Sequence, residues 1–173
     1  MRTKLQNLLA VFIFLLIFSS PSFAQTPCEA PPYRQFDFWI GEWRVLLPDG
    51  SEAGRNIIAS EYGGCMLSER YSGRGQPYGA SINAYNAITE KWQQTWIDKN
   101  GLVLNLSGNL VGDTMVMTGE GKDQQGKPIT HKISWQPQTD GTVVQHWQFK
   151  HYSTETWNTL FKGIYKKAPP KGE

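Results

Sequence analysis

No apolar run in this sequence is long enough to cross a bilayer. Its apolar run, Leu8 to Phe18 (LLAVFIFLLIF), falls short of the about 20 residues that a hydrocarbon core of roughly 30 Å requires. Charge of one sign is also lacking, with 17 basic against 15 acidic residues, so there is no net-charge case for nucleic acid or an anionic membrane as partner. No long segment places apolar residues at helical spacing, which argues against a helical fold. There are only two cysteines and three histidines. Neither cysteine has a histidine at zinc-ligand spacing beside it. His131, His146 and His151 show no spacing that demands a metal or a haem. Gly73-Arg74-Gly75 joins two predicted strands and does not open a helix, so it lacks the context of a phosphate cradle. The G-x-S-x-G nucleophile pattern does not occur. Nothing in the sequence calls for a cofactor.

What is present starts with a targeting signal. Arg2 and Lys4 precede the apolar run, Pro21 breaks it, and Ser22-Phe23-Ala24 offers small residues where a signal peptidase reads them. Residues 1–24 are therefore expected to be a cleaved signal peptide. Removing them takes Lys+Arg from 17 to 15 and leaves Asp+Glu at 15, so the processed chain is formally neutral. Gln25-Thr26-Pro27 does not make a lipid-attachment pattern before Cys28. Export to the periplasm or beyond, without stable membrane insertion after cleavage, is the expected fate. In such an oxidising compartment, Cys28 and Cys65 are expected to form a disulfide. It would tie an N-terminal segment, 25–37, to the turn after the second strand.

Turn residues recur every eight to twelve positions, among them Pro48-Asp49-Gly50, Asn100-Gly101, Gly112-Asp113 and Asp140-Gly141. Between them lie short runs rich in Val, Ile, Thr, Trp, Tyr and Phe, the mark of a sandwich or barrel. Asn100-Gly101 and Asp140-Gly141 read as type I′ hairpin turns. Ten strands are predicted, at 38–47, 55–62, 65–72, 79–86, 91–98, 101–110, 113–120, 128–136, 142–150 and 156–166. A short helical turn is expected over 33–38 and a disordered tail over 168–173. Because strand side chains alternate, Ile129, His131, Ile133 and Trp135 should share a face. So should Val143, Gln145, Trp147 and Phe149, and so should Trp157, Thr159, Phe161, Gly163 and Tyr165. One apolar face per strand and hairpin connections throughout predict an all-β, up-and-down antiparallel barrel of about ten strands over 38–167. A barrel of that width tends to leave a cavity.

At Phe36 to Val45 the chain reads FDFWIGEWRV. Gly41-Glu42-Trp43 matches the G-x-W signature that opens the first strand of lipocalins and other calycins. The longer set FDFWIGEW, GGCMLSE, SINAYN, KWQQTWID and TW…FKGIY resembles a family of exported bacterial proteins of unknown function, and the similarity runs along nearly all of the processed chain. The resemblance implies a lipocalin-like barrel in which a basic residue of the last strand, Lys162 or Lys166, packs over Trp43. It brings no catalytic residues.

The densest polar and aromatic face lies on the fourth and fifth strands. Ser81, Asn83 and Tyr85 share a side of one, and Trp92, Gln94, Trp96 and Asp98 a side of the other. Hairpin pairing would set Asn83 and Tyr85 beside Gln94 and Trp92. Asn83, Tyr85, Gln94 and Trp96 are expected to point into one cavity, with Glu69, Ser81, Gln145 and Trp147 at its wall. Aromatic walls carrying a few amides and hydroxyls suit a small apolar or amphipathic ligand. Ordinary barrel filling would use the same residues. A carboxyl at Glu69 inside such a barrel would titrate high and could act as a general acid or base, giving a hydratase, isomerase or lyase with Tyr85 or Asn83. A protein-docking module with a filled barrel is the third possibility. The oligomeric state is left open.

Overall fold

The computed structural model describes residues 27–169. The expected signal peptide and the last four residues of the expected tail lie outside them. The described chain is all-β. Ten antiparallel strands run in sequence order around a closed barrel: β1 (Gly41–Leu46), β2 (Glu52–Glu61), β3 (Met66–Gly73), β4 (Gln76–Asn86), β5 (Lys91–Asp98), β6 (Val103–Val111), β7 (Thr114–Lys122), β8 (Pro128–Pro137), β9 (Val143–His151) and β10 (Asn158–Lys167). β1 pairs with both β2 and β10, which closes the ring and leaves no exposed strand edge.

Alternation sends every second side chain inward. Trp43 and Val45 of β1, Asn56 and Ile58 of β2, Leu67 and Glu69 of β3, and Ser81 and Asn83 of β4 are all buried. Between them Arg44, Arg55, Ile57, Arg70 and Ile82 face out. β10 breaks the rule once. Its register against β9 shifts between Thr159 and Phe161, leaving Leu160 as a bulge. Phe161, Gly163 and Tyr165 point inward as expected. Thr159 does not: its hydroxyl meets outward-facing His146 at 2.8 Å. Trp157 also lies outside, beside Lys132 and Lys150, whose ammonium groups sit 4.0 and 5.4 Å from its ring centroid. The extra residue explains the correction, since a shift of one position exchanges the two faces.

Hairpins form at Asn100-Gly101 and Asp140-Gly141, but not with type I′ turns. Only the glycine of each pair has positive φ. In Asp98–Leu102 the amide of residue 98 donates to the carbonyl of residue 102, and that of Gly101 donates back to Asp98. Loops 138–142, 47–51 and 123–127 repeat this pattern. It is a three-residue loop with a type I turn and a closing left-handed glycine. Both central residues have positive φ at Arg74-Gly75 instead, between β3 and β4.

One end of the barrel is plugged. The chain enters through a helical turn at Pro31–Arg34 and a second, 3-10 turn at Asp37–Trp39. That second turn delays β1 to Gly41, three residues past its expected start. Phe36 and Trp39 are thereby inserted between the strands. They stack on each other at 4.9 Å and meet Trp92, Trp135 and Tyr165 edge-on or tilted. The indole of Trp43 donates to the Trp39 carbonyl at 2.8 Å, and that of Trp92 to the Pro32 carbonyl at 3.1 Å. Lys167 lies over the Trp43 ring at 3.8 Å and donates to the Ile40 carbonyl at 2.7 Å. Lys162 and Lys166, expected in that position, have the other parity and face solvent. Gly41, at φ 142°, leaves room for this lysine; a Cβ there would collide with its ammonium group. Ala168 still donates to Glu42, so the ordered backbone runs past the end of β10.

A disulfide joins Cys28 to Cys65, as expected, and pins the plug to the β2–β3 connection. The Arg34 guanidinium adds a hydrogen bond to the Gly64 carbonyl in the same connection. Two stability predictions follow from the plug. Trp43→Ala removes a fully buried indole and should destabilise the fold by about 3–5 kcal/mol; a loss below about 1 kcal/mol in urea unfolding would contradict the packing. With 37 positions between its cysteines, the bridge should contribute about 4 kcal/mol in the chain-entropy account. A paired Cys28→Ser, Cys65→Ser variant measures that loss by the same unfolding.

Candidate functional site

The end of the barrel opposite the plug is open. A cavity of about 720 Å³ runs down from it, within the range of small-molecule sites. Tyr71, Tyr78, Trp96, Trp147 and Phe161 form much of its wall, and Arg74 and Lys99 stand exposed at its mouth. Of the residues singled out in the sequence, Glu69, Gln94, Trp96, Gln145 and Trp147 line it. Ser81 and Asn83 are buried beneath the floor. Tyr85 is not in the cavity. It pairs across the hairpin with Trp92, as its parity requires, but two further residues along β4 bring it to the plugged end. There it packs edge-on against Tyr33 at 5.2 Å. The expectation that Asn83, Tyr85, Gln94 and Trp96 open into one space is corrected accordingly: one face of a strand crosses both the plug and the cavity.

The floor is a chain of hydrogen bonds ending on Glu69. Gln94 Nε2 donates to Asn83 Oδ1 at 2.7 Å, and Asn83 Nδ2 donates to Ser81 Oγ at 2.9 Å and to the Leu67 carbonyl at 3.2 Å. Ser81 Oγ donates to Glu69 Oε2 at 2.6 Å. From the other side Asn56 Nδ2 donates to Glu69 Oε1 at 2.7 Å and reaches the Tyr165 hydroxyl at 3.3 Å. That hydroxyl donates to Gln145 Oε1 at 2.7 Å. Strand register sets these partners: Glu69 lies opposite Ser81, Asn83 opposite Gln94, and Ser81 opposite Trp96. Trp147 donates to His131 Nδ1 at 3.1 Å behind the wall.

Glu69 is 4% exposed, and none of the ion pairs among the described residues includes it. Arg70, its neighbour in sequence, faces out. Burial pushes the Glu69 carboxyl up to about 7, while the bonds from Ser81 and Asn56 hold it back. Burial and the nearby Glu69 charge push the Tyr165 hydroxyl well above its ordinary value. Burial lowers His131.

Asn56 and Tyr165 complete the floor and were missed in the sequence, although parity marks both. Asn56 alternates with Gly54 and Ile58 on the inner face of β2, and Tyr165 belongs to the inward set of β10. Among the described residues no cluster of His, Cys, Asp and Glu could hold a metal ion. Compared with known proteins, the chain matches no family model and no curated protein.

Because the folded carboxyl of Glu69 titrates above its unfolded value near 4.5, the folded state binds its proton more tightly. Stability should therefore be full below about pH 4.5 on this account, fall as pH rises through 7, and level off above. The shift corresponds to about 3 kcal/mol. Glu69→Gln should flatten this slope in unfolding experiments between pH 5 and 8. An unchanged slope would show that Glu69 does not titrate in the interior.

Proposed function

We propose that this chain is an exported binding protein that holds a small apolar or amphipathic molecule in the barrel. The observation that carries this reading is the cavity: open at one end, walled by aromatic side chains and floored by buried polar groups. Aromatic walls supply area and a few fixed polar atoms supply orientation, the division of labour usual in small-molecule sites. Export is supported by the leader read in residues 1–24 and by the Cys28–Cys65 bridge, which suits an oxidising compartment. Among the described residues no helix is long and apolar enough to cross a membrane. Membership of the exported lipocalin-like family is part of the same proposal and rests on the motifs quoted above.

One observation favours acid–base catalysis as a second reading. The Glu69 carboxyl titrates near neutrality at the cavity floor, with the Tyr165 hydroxyl linked to it through Asn56. In such an enzyme Tyr165 would take the place the sequence assigned to Tyr85.

N-phenyl-1-naphthylamine, uncharged at neutral pH and bright in apolar surroundings, tests the binding reading. Its emission should rise on mixing with the protein and saturate at one molecule per barrel. Protein emission should change at the same time, and Trp96→Phe should remove most of that change. Trp157→Phe, on the outer wall, should leave it intact. A probe that stays dark, with protein emission unaltered, would count against a binding cavity.

A further inference from the structure

The cavity floor leaves open acceptors at Glu69, and the Gln145 amide and one N–H of Gln94 are open donors beside them. The donors of Asn56, Ser81, Asn83 and Tyr165 are spent on protein acceptors, and Gln94 spends one N–H on Asn83. The acceptors are not used up. Each Glu69 oxygen accepts one protein bond and has capacity for a second. Asn56 Oδ1 is buried with no partner. A ligand group that reaches Glu69, which lines the cavity, must bring donors to it.

Charge points the same way. Every element packed against Glu69 presents an uncharged group: Asn56 from β2, Ser81 from β4, Tyr165 from β10, and Tyr71 two positions along its own strand. The arginines of these strands, Arg55 and Arg70, are on the outer face. Arg74 and Lys99 are at the solvated mouth, where salt screens them. The walls above the carboxyl are the rings of Tyr71, Trp96, Trp147 and Phe161, whose faces attract cations.

Resting on the binding reading above, we infer that the ligand is a small organic amine, with its ammonium group on Glu69 and its apolar body among Tyr71, Trp96, Trp147 and Phe161. An ammonium brings three donors and one positive charge. It supplies the partner that the buried carboxylate lacks within the protein, and a buried charge is tolerated best when paired and hydrogen-bonded. A ligand carboxylate would set two like charges together at the floor, or would require Glu69 to keep its proton.

Calorimetry with phenethylamine, 2-phenylethanol and 3-phenylpropionate on the full processed protein tests this. These probes share a ring and chain and differ in the terminal group. At pH 8 the amine should bind at least about tenfold more tightly than the alcohol, as expected of a charge-assisted bond. Below pH 7 the amine's affinity should fall by up to about tenfold per unit as Glu69 takes up a proton, while the alcohol's stays level. Glu69→Gln should abolish both the preference and the slope, which assigns the slope to Glu69 rather than to His131 behind Trp147. If that variant fails to fold, the wild-type pH profiles of amine and alcohol decide the matter alone. An amine no tighter than the alcohol, or an acid tighter than both, overturns the inference. In that case a bound naphthylamine probe still upholds the binding reading. If neither that probe nor any of the three compounds binds, both readings fail.

Discussion

Closing ten strands into one ring is the constraint on which the rest of this structure depends. Closure satisfies every strand edge, but it also fixes the width of the interior. Side chains from ten strands do not fill a space that wide along its whole length. The sequence resolves this differently at the two ends. At one end an added segment, Pro31 to Trp39, folds inward and contributes Phe36 and Trp39 to a cluster with Trp43, Trp92, Trp135 and Tyr165. At the other end no segment among the described residues enters, and the space forms a cavity.

The plug could not hold by apolar contact alone, because it brings backbone and indole polar groups into the interior. Two wall indoles satisfy carbonyls of the plug, Trp43 donating to Trp39 and Trp92 to Pro32, while Trp39 Nε1 and Trp135 Nε1 are buried without a partner. Lys167 satisfies the Ile40 carbonyl where the chain passes from plug to β1, and it requires Gly41 beside it. The G-x-W triplet thus has a local physical meaning in this chain. The glycine makes room for a lysine, and the tryptophan gives that lysine an aromatic face and anchors the plug. The disulfide and Arg34 fasten the segment from outside. The cavity's floor rests on this assembly, since Tyr165 touches the plug with its ring and the polar network with its hydroxyl.

Much of the fold was legible because it depends on local rules. All ten strands lie where alternation and turn residues put them, and the Asn83–Gln94 and Tyr85–Trp92 pairs follow from one short connection. The failures have equally local causes. Trp157 and Thr159 were placed inside because a single bulge residue, Leu160, carries no distinctive signal in sequence. Lys167 was passed over for Lys162 and Lys166, although the parity of Gly163 and Tyr165 favours it. The turn type at Asn100 and Asp140 was misjudged because a glycine in the left-handed region serves a three-residue loop as well as a two-residue one. Tyr85 shows a deeper limit. Parity says which way a side chain points, but not how far along the axis the plug ends and the cavity begins.

Glu69 lies where these considerations meet. A strand position midway along the barrel is a poorly solvated place for a carboxyl, and among the described residues no cation pairs with it. Stability does not account for such a group, because burial of an unpaired charge opposes folding above neutral pH. An apolar residue of similar size would remove that charge, and only Asn56 and Ser81 would lose an acceptor by it. The four polar residues and the carboxyl make sense together as one device. The Asn56 amide and the Ser81 hydroxyl hold one carboxyl oxygen each, and each oxygen keeps capacity for a second bond where Glu69 lines the cavity. Strain of this kind is expected where a structure keeps a group ready for something it does not itself contain. If the barrel binds a ligand as proposed, the floor rather than the aromatic wall would decide what it selects. The rings would accept many apolar bodies of the right size, whereas the open acceptors of Glu69 would discriminate by the ligand's charge and donors.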